Sequence, residues 1–310
     1  MIVCVAAAAW PVERLAGFDA WQAKLGAWVG EAAARGARLL VLPEYGALEL
    51  AGALAGVAED DAAAQIAAVA AVAPRIDAAH AVLARETNTH ILAGTILLPR
   101  GDGRYVNRAR LFTPDGTVGI QDKLVPTRFE REVAGVAGGG GPARVFETAL
   151  GRIGICICYD AEFPLVARAM AEAGAEILLV PSCTDALAGY SRVRVGAMAR
   201  ALENQCYAVH APTVGAAPWS PLLDVNVGAA AVYAPPDIGF PPTGIVAEAA
   251  LDAPGWLYAD LDLDRVHAVR RDGQVLNLAH WPEQAAPLAA GAELVSLAAG
   301  AGRARRAHGL

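Results

Sequence analysis

Lysine is nearly missing from this chain: of its 25 cationic residues only Lys24 and Lys123 are lysine. Arginine therefore serves wherever a generic positive charge is needed. A retained lysine marks a place where a compact ammonium is wanted and a planar guanidinium does not fit. Charge as a whole is sparse, at 18% of residues, and the formal net charge of -7 with a pI of about 5.4 leaves no basic face for nucleic acid. Cysteine is scarce and odd in number (Cys4, Cys156, Cys158, Cys183 and Cys206). That excludes a disulfide framework and points to a reduced, cytoplasmic protein. Cys156 and Cys158 lack companions at zinc-ligand spacing, so no metal is expected. No apolar run approaches the ~20 residues of a membrane span, and Met1 to Ala9 has no basic leader segment. No membrane contact is expected.

What is present is a 310-residue chain, 55% hydrophobic and rich in alanine, enough for one large core. Strands read at Ile2–Ala9, Arg38–Glu44, His90–Pro99, Tyr105–Thr113, Val118–Lys123, Arg144–Ala149 and Gly151–Ile157. Further strands read at Ala175–Ser182, Cys206–Val214, Gly228–Tyr233, Gly244–Ala249 and Trp256–Leu263. Helical spacing of apolar residues marks Phe18–Arg35, Asp60–Arg85 with a break near Pro74, Leu165–Ala173, Ser191–Gln205 and a helix from Asp264. Strands alternate with helices but hairpins intrude, which favours sheets covered by helices over a parallel barrel. No internal repeat or long linker divides the chain. One domain is expected over 1–297, with a frayed tail at 298–310.

Three of these runs end on chemistry. Glu44 closes one apolar strand, Lys123 closes another, and Cys158 sits where the strand Ile153–Ile157 turns into the helix opened by Pro164. Alone, a cysteine in an apolar strand is more often a small buried hydrophobe. With the strands side by side, their C-terminal ends would gather an acid, an ammonium and a thiol, at the edge where open α/β sheets hold ligands. The set is complete for acyl transfer: Glu44 as base for the thiol, Lys123 and the Tyr159 N–H as oxyanion donors. No histidine and no cofactor is needed. Cys156, Cys183 and Cys206 read as core, and Asp160 as a maker of hydrogen bonds at the turn.

Leu42-Pro-Glu-Tyr45, Asp122-Lys-Leu-Val-Pro-Thr127 and Cys158-Tyr-Asp-Ala-Glu-Phe-Pro164 together resemble the three signature segments of the nitrilase, or carbon–nitrogen hydrolase, superfamily. The resemblance runs from Ile2 to about Trp281. It implies a four-layer αββα sandwich, a Glu44–Lys123–Cys158 triad and a second glutamate beside the lysine, Glu130 or, failing that, Glu132. It also implies a homodimer or higher oligomer, pairing through Leu165–Ala173 and Ser191–Gln205. True nitrilases carry Cys-Trp-Glu at the nucleophile, whereas Cys158-Tyr159-Asp160 is similar to the amidase-like branches. The run Lys123-Leu-Val-Pro-Thr127 is nitrilase-like; the nucleophile segment weighs more, because it shapes the pocket wall. The expected activity is cleavage of a small carboxamide through a cysteine thioester. Nitrile hydrolysis or release of a carbamoyl group by the same triad is the alternative, and an idle binding module the remote one. Tyr45, Tyr159, Thr184 and Trp219 are candidate pocket residues.

Overall fold

The computed structural model describes all residues except Ala55, Gly140, 298–304 and 307–310. In chain order it contains β1 (Ile2–Pro11), α1 (Phe18–Ala34), β2 (Leu39–Val41), α2 (Ala62–Ala71), α3 (Ala73–Thr87), β3 (His90–Pro99), β4 (Tyr105–Phe112), β5 (Val118–Asp122) and α4 (Arg128–Glu132). There follow β6 (Val145–Thr148), β7 (Gly151–Ile155), α5 (Pro164–Glu172), β8 (Ile177–Ser182), α6 (Leu187–Asn204), β9 (Tyr207–Ala216), β10 (Val225–Asn226), β11 (Ala231–Tyr233), β12 (Ile245–Glu248), β13 (Gly255–Asp262) and α7 (Leu263–Asp272). Short 3-10 helices at Gly46–Ala53 and Cys158–Glu162 follow Glu44 and carry Cys158 respectively.

The strands form two packed layers. One runs β5-β4-β3-β2-β1-β13 and the other β6-β7-β8-β9-β11-β12, joined among the described residues where Trp10 and Pro11 pair with Thr213 and Val214. β1 shows why the sequence does not alternate polar and apolar. Its residues Val3, Val5, Ala7 and Ala9 pack between the sheets against Ile153, Ile155 and Leu179. Ala6, Ala8 and Trp10 pack outward beneath Trp21, Leu25, Val29 and Ile76 of α1 and α3. A strand covered on both faces reads as a continuous apolar run. On the far side Met170 of α5 and Val193, Ala197 and Ala201 of α6 close the second sheet. The architecture is the four-layer αββα sandwich.

Two expectations are corrected. The strands ending at Glu44, Lys123 and Cys158 do not lie side by side: β3 and β4 separate β2 from β5, and β7 belongs to the other sheet. The helix expected at Asp60–Arg85 is two helices, bent by 52° between Ala71 and Ala73, with Pro74 in the first turn of the second. Among the described residues no single helix is long and apolar enough to cross a membrane. The tail expected at 298–310 falls outside the described residues, save Arg305–Arg306, which pair with Glu293–Leu294.

Candidate active site

Each functional side chain is held by an irregular backbone just past a strand. Beyond β2, Pro43 and Glu44 lead into Tyr45, whose φ of 60° is left-handed. The turn is braced by β3, where the Thr95 hydroxyl accepts the Tyr45 N–H at 3.1 Å. Gly94, at φ 68°, lets the Pro43 carbonyl approach so closely that a Cβ there would sit 1.8 Å from its oxygen. Beyond Tyr45 the 3-10 helix is anchored by the wholly buried Glu49. Glu49 accepts Lys24 Nζ at 2.9 Å and Trp10 Nε1 at 3.1 Å. The first of the two retained lysines is thus a buried structural ion pair behind the site.

The second stands in it. Lys123 Nζ lies 2.8 Å from Glu44 Oε1 and 2.7 Å from Glu130 Oε2, with all three side chains at most 2% exposed. Glu130 enters through α4, capped by a reciprocal box: Thr127 Oγ1 accepts the Glu130 N–H at 3.2 Å and Glu130 Oε2 accepts the Thr127 N–H at 2.7 Å. Tyr45 donates its hydroxyl to Glu130 Oε1 at 2.6 Å. Glu132 points away, exposed and paired with Arg128 at 2.9 Å. Of the two glutamates, the structure brings only Glu130 to Lys123.

Cys158 faces this group from the second sheet, also left-handed at φ 47° and 4% exposed. Its thiol lies 3.8 Å from the Cys183 carbonyl oxygen. Glu44, Tyr45, Lys123, Glu130, Cys158, Tyr159 and Thr184 all line one cavity of about 590 Å³, with Arg192, Asp185 and Asp224 among the polar residues of its outer wall. A larger hollow of about 820 Å³ between α1 and α3 carries no nucleophile.

Electrostatics separates the two glutamates. Burial pushes the Glu44 carboxyl up; Lys123 pulls it down and Glu130 adds to the rise, leaving it raised. Glu130 feels burial too, but Lys123 and the hydrogen bonds from Tyr45 and Thr127 outweigh it and hold it below the usual carboxylate range. Lys123 is desolvated, yet the two carboxylates outweigh that and keep it protonated. Burial and then the Glu44 charge push the Cys158 thiol well up. Glu130 is therefore held charged beside Lys123, Glu44 has the higher proton affinity of the two carboxyls, and the Cys158 thiol is held neutral.

Two participants escaped the sequence reading. Asn107 on β4 is wholly buried, and its Nδ2 donates to Glu44 Oε1 at 2.8 Å and Glu130 Oε1 at 2.9 Å. A lone amide in the strand Tyr105–Phe112 was the available signal. Cys183, read as core, instead lines the cavity, and its N–H holds Glu44 Oε2 at 3.0 Å. Trp219 is a correction in the other direction. It lies outside the cavity, packed over Gly52, whose added Cβ would meet its ring at 2.4 Å. The capping box that delivers Glu130 was also legible, as Thr127-Arg-Phe-Glu130.

A family profile described as carbon–nitrogen hydrolase matches residues 5–271. The chain is 39% identical over 196 residues to the probable hydrolase YhcX of Bacillus subtilis, a match covering 63% of this chain and 38% of that protein. It is 35% identical over 129 residues to human deaminated glutathione amidase, covering 40% of this chain and 35% of the relative. The chain thus spans less than two thirds of the length of both relatives. Among solved structures, a carbon–nitrogen hydrolase from Helicobacter pylori superposes with a TM-score of 0.71 at 20% identity, over 87% of this chain and 93% of that one. Nit3 of Saccharomyces cerevisiae, a member of branch 10 of the nitrilase superfamily, gives 0.66 at 21% identity over the same shares, 87% and 93%. At those identities the structures speak for the fold, and the profile match carries the assignment: the chain belongs to the carbon–nitrogen hydrolase family.

Proposed function

We propose that this hydrolase cleaves a small carboxamide through a thioester on Cys158. The observation that carries the reading is the lysine's hydrogen-bond count. An ammonium has three donors; two of them are engaged by Glu44 and Glu130, and among the described residues no other acceptor takes the third, which is left for an oxygen in the cavity that Cys158 also lines.

The steps follow from the charges. Cys158 Sγ attacks the amide carbon as its proton passes to Glu44, a transfer made at the moment of attack because the resting thiol is neutral. The carbonyl oxygen becomes an oxyanion against Lys123 Nζ and the Tyr159 N–H. Glu44 returns the proton to the leaving nitrogen, the C–N bond breaks, and ammonia or an amine departs. Water then gives a proton to Glu44 and adds to the thioester carbon; the C–S bond breaks and the thiol is re-formed. Glu130 neutralises Lys123, so Glu44 can carry the proton. Tyr45 and Thr184 border the acyl group. The names of relatives support the choice of amide, deaminated glutathione amidase in human and omega-amidase in Xenopus laevis.

The reading extends to a homodimer through the helices beside the nucleophile. On α5 Leu165 is 71% exposed, and on α6 Val195 is 62% exposed, apolar surface that pairing would cover. Sedimentation at micromolar concentration is expected to show a dimer or larger species; a monomer alone counts against it.

The test of the chemistry is the mass of the protein after quenching with a panel of amides, nitriles and carbamoyl compounds. An acyl adduct on Cys158, absent in a folded Cys158→Ala variant that has lost turnover, is expected. Wild-type turnover by Cys158→Ala overturns the mechanism.

A further inference from the structure

We propose that Asp160 is a positioning residue whose carboxylate clamps the Lys123 loop to the Cys158 turn and so sets the distance between ammonium and thiol. The proposal rests on the reading of Cys158 as nucleophile and Lys123 as oxyanion donor.

Asp160 is wholly buried but does not line the cavity, so it cannot touch substrate. Its two oxygens accept three backbone N–H groups, one from its own turn and two from the loop after Lys123. Oδ1 accepts the Val125 N–H at 2.8 Å. Oδ2 accepts the Leu124 N–H at 3.2 Å and the Ile157 N–H at 3.3 Å. The first two donors immediately follow Lys123, and the third immediately precedes Cys158. One carboxylate thus grips the backbone next to both reacting groups, which belong to different sheets.

Few other ties hold these segments. Lys123 itself is fixed through its N–H to the Asn107 carbonyl at 2.8 Å and through its carbonyl to the Gly139 N–H at 2.9 Å. The Cys158 turn keeps a left-handed residue that is not glycine, a conformation that persists only where the surroundings over-determine it. Behind it, Arg200 Nη1 donates to the Ala161 carbonyl at 3.1 Å. Gly196 packs so closely that a Cβ would meet the Ala161 oxygen at 2.8 Å. These contacts fix the turn to α6, whereas among the described residues it is Asp160 whose hydrogen bonds tie it to the lysine loop.

The residue type agrees with the role. A carboxylate buried without a salt bridge is expensive, and none is formed by Asp160 among the described residues. Burial lifts its carboxyl to about 6, with the three N–H groups and Lys123 acting in the opposite direction. An amide would be cheaper to bury, but it offers one acceptor oxygen and turns an NH2 group towards a backbone N–H. Only a carboxylate can accept all three N–H groups.

The test compares Asp160→Asn and Asp160→Glu with the wild type on an amide for which the wild type forms a Cys158 adduct. Three readings are taken: kcat and KM, the midpoint of thermal unfolding, and the fraction of chains in which Cys158 is alkylated by iodoacetamide. The clamp predicts that kcat per reactive thiol falls about a hundredfold in Asp160→Asn, as for a displacement of about 1 Å between reacting groups, with KM little changed. It also predicts no rescue by Asp160→Glu, which keeps the charge but moves the oxygens. If Asn lowers only the unfolding midpoint while kcat per reactive thiol stays at the wild-type value, Asp160 is merely structural and the proposal fails. If Glu restores kcat, the charge matters and the clamp does not. Should Asn fail to fold, hydrogen exchange in the wild type decides. The Leu124 and Val125 amides must exchange as slowly as those of β8, and unprotected loop rates overturn the proposal. Failure of the nucleophile reading is distinguishable, because then the wild type itself forms no adduct.

Discussion

Lys123 Nζ donates to Glu44 Oε1 at 2.8 Å although 79 positions separate the two residues in the chain. The bond joins the segments just past β2 and β5, and it removes one of the three donors of the ammonium while leaving Glu44 within the same cavity as Cys158. With Glu130 on the other side, the lysine is a bridge between two carboxylates, one with its pKa raised and the other with its pKa lowered.

That bridge leaves no room for arginine. Lys123→Arg is expected to be nearly as damaging as Lys123→Ala, because a planar fork cannot meet two carboxylates at 2.7 and 2.8 Å in a site that is 1% exposed. Losing one oxyanion donor costs about 3–4 kcal/mol, which should fall mainly on kcat. Steady-state kinetics on both variants checks this. Near-normal kcat in the arginine variant means that Lys123 supplies only positive potential.

Glu130→Gln should move the pH profile. The negative charge of Glu130 helps to raise Glu44, so its removal lets the Glu44 carboxyl fall. The acidic limb of kcat/KM, which reports the coupled carboxylates, should therefore shift to lower pH. In the same variant kcat should drop on the order of ten- to a hundredfold, as a misplaced lysine loses orientation. A pH–rate profile with an unmoved limb contradicts the assignment of Glu130 as counter-ion.

Gly94→Ala tests the brace behind the base. The added Cβ falls 1.8 Å from the Pro43 oxygen at a φ of 68°, so the Pro43–Glu44 turn must shift. A loss of about 3 kcal/mol of stability or more is expected, together with reduced kcat in the fraction that remains folded. Thermal unfolding and kinetics read the two effects separately.

Acid should destabilise the fold through its buried histidines. Burial lowers His210, bonded to Ser182 at 2.6 Å, to about 4, and lowers His80, bonded to the Ile76 carbonyl at 2.8 Å, to about 3. The unfolded chain binds these protons from about pH 6.5 downward, whereas the folded chain does not until far lower. Stability is thus fully present above about 6.5 and is lost as pH falls towards 4. For His210 the loss is on the order of 3 kcal/mol, at about 1.36 kcal/mol per pKa unit. Denaturant titrations against pH should show a shallower slope in His210→Gln.

Glu44, Lys123 and Cys158, which share one cavity, could be picked out as candidates in the sequence because each sits where an apolar strand stops on a polar residue, inside a local motif. Strand and helix positions followed from periodicity for the same reason: they depend on neighbours a few residues apart. Glu130 was legible to within the pair Glu130 and Glu132; the turn of α4 decided which one reached Lys123, since a capping box directs one side chain inward and the other out to Arg128. Lys24 and Lys123 both obeyed the rule that a retained lysine fills a tight place, yet only the fold told the structural pair with Glu49 from the one at the cavity. The partners of Asn107, of the Cys183 N–H and of Asp160 across to the lysine loop could not be read from the sequence, since they lie 23 to 139 positions away. Trp219 was misplaced for the converse reason: a large side chain near a loop can turn to either face, and packing over Gly52 turned it away. What the sequence by itself determined is the chemistry available at the ends of the strands. Which of those ends meet was decided by the stacking of two sheets, because contacts between them depend on register and layer order and not on local pattern.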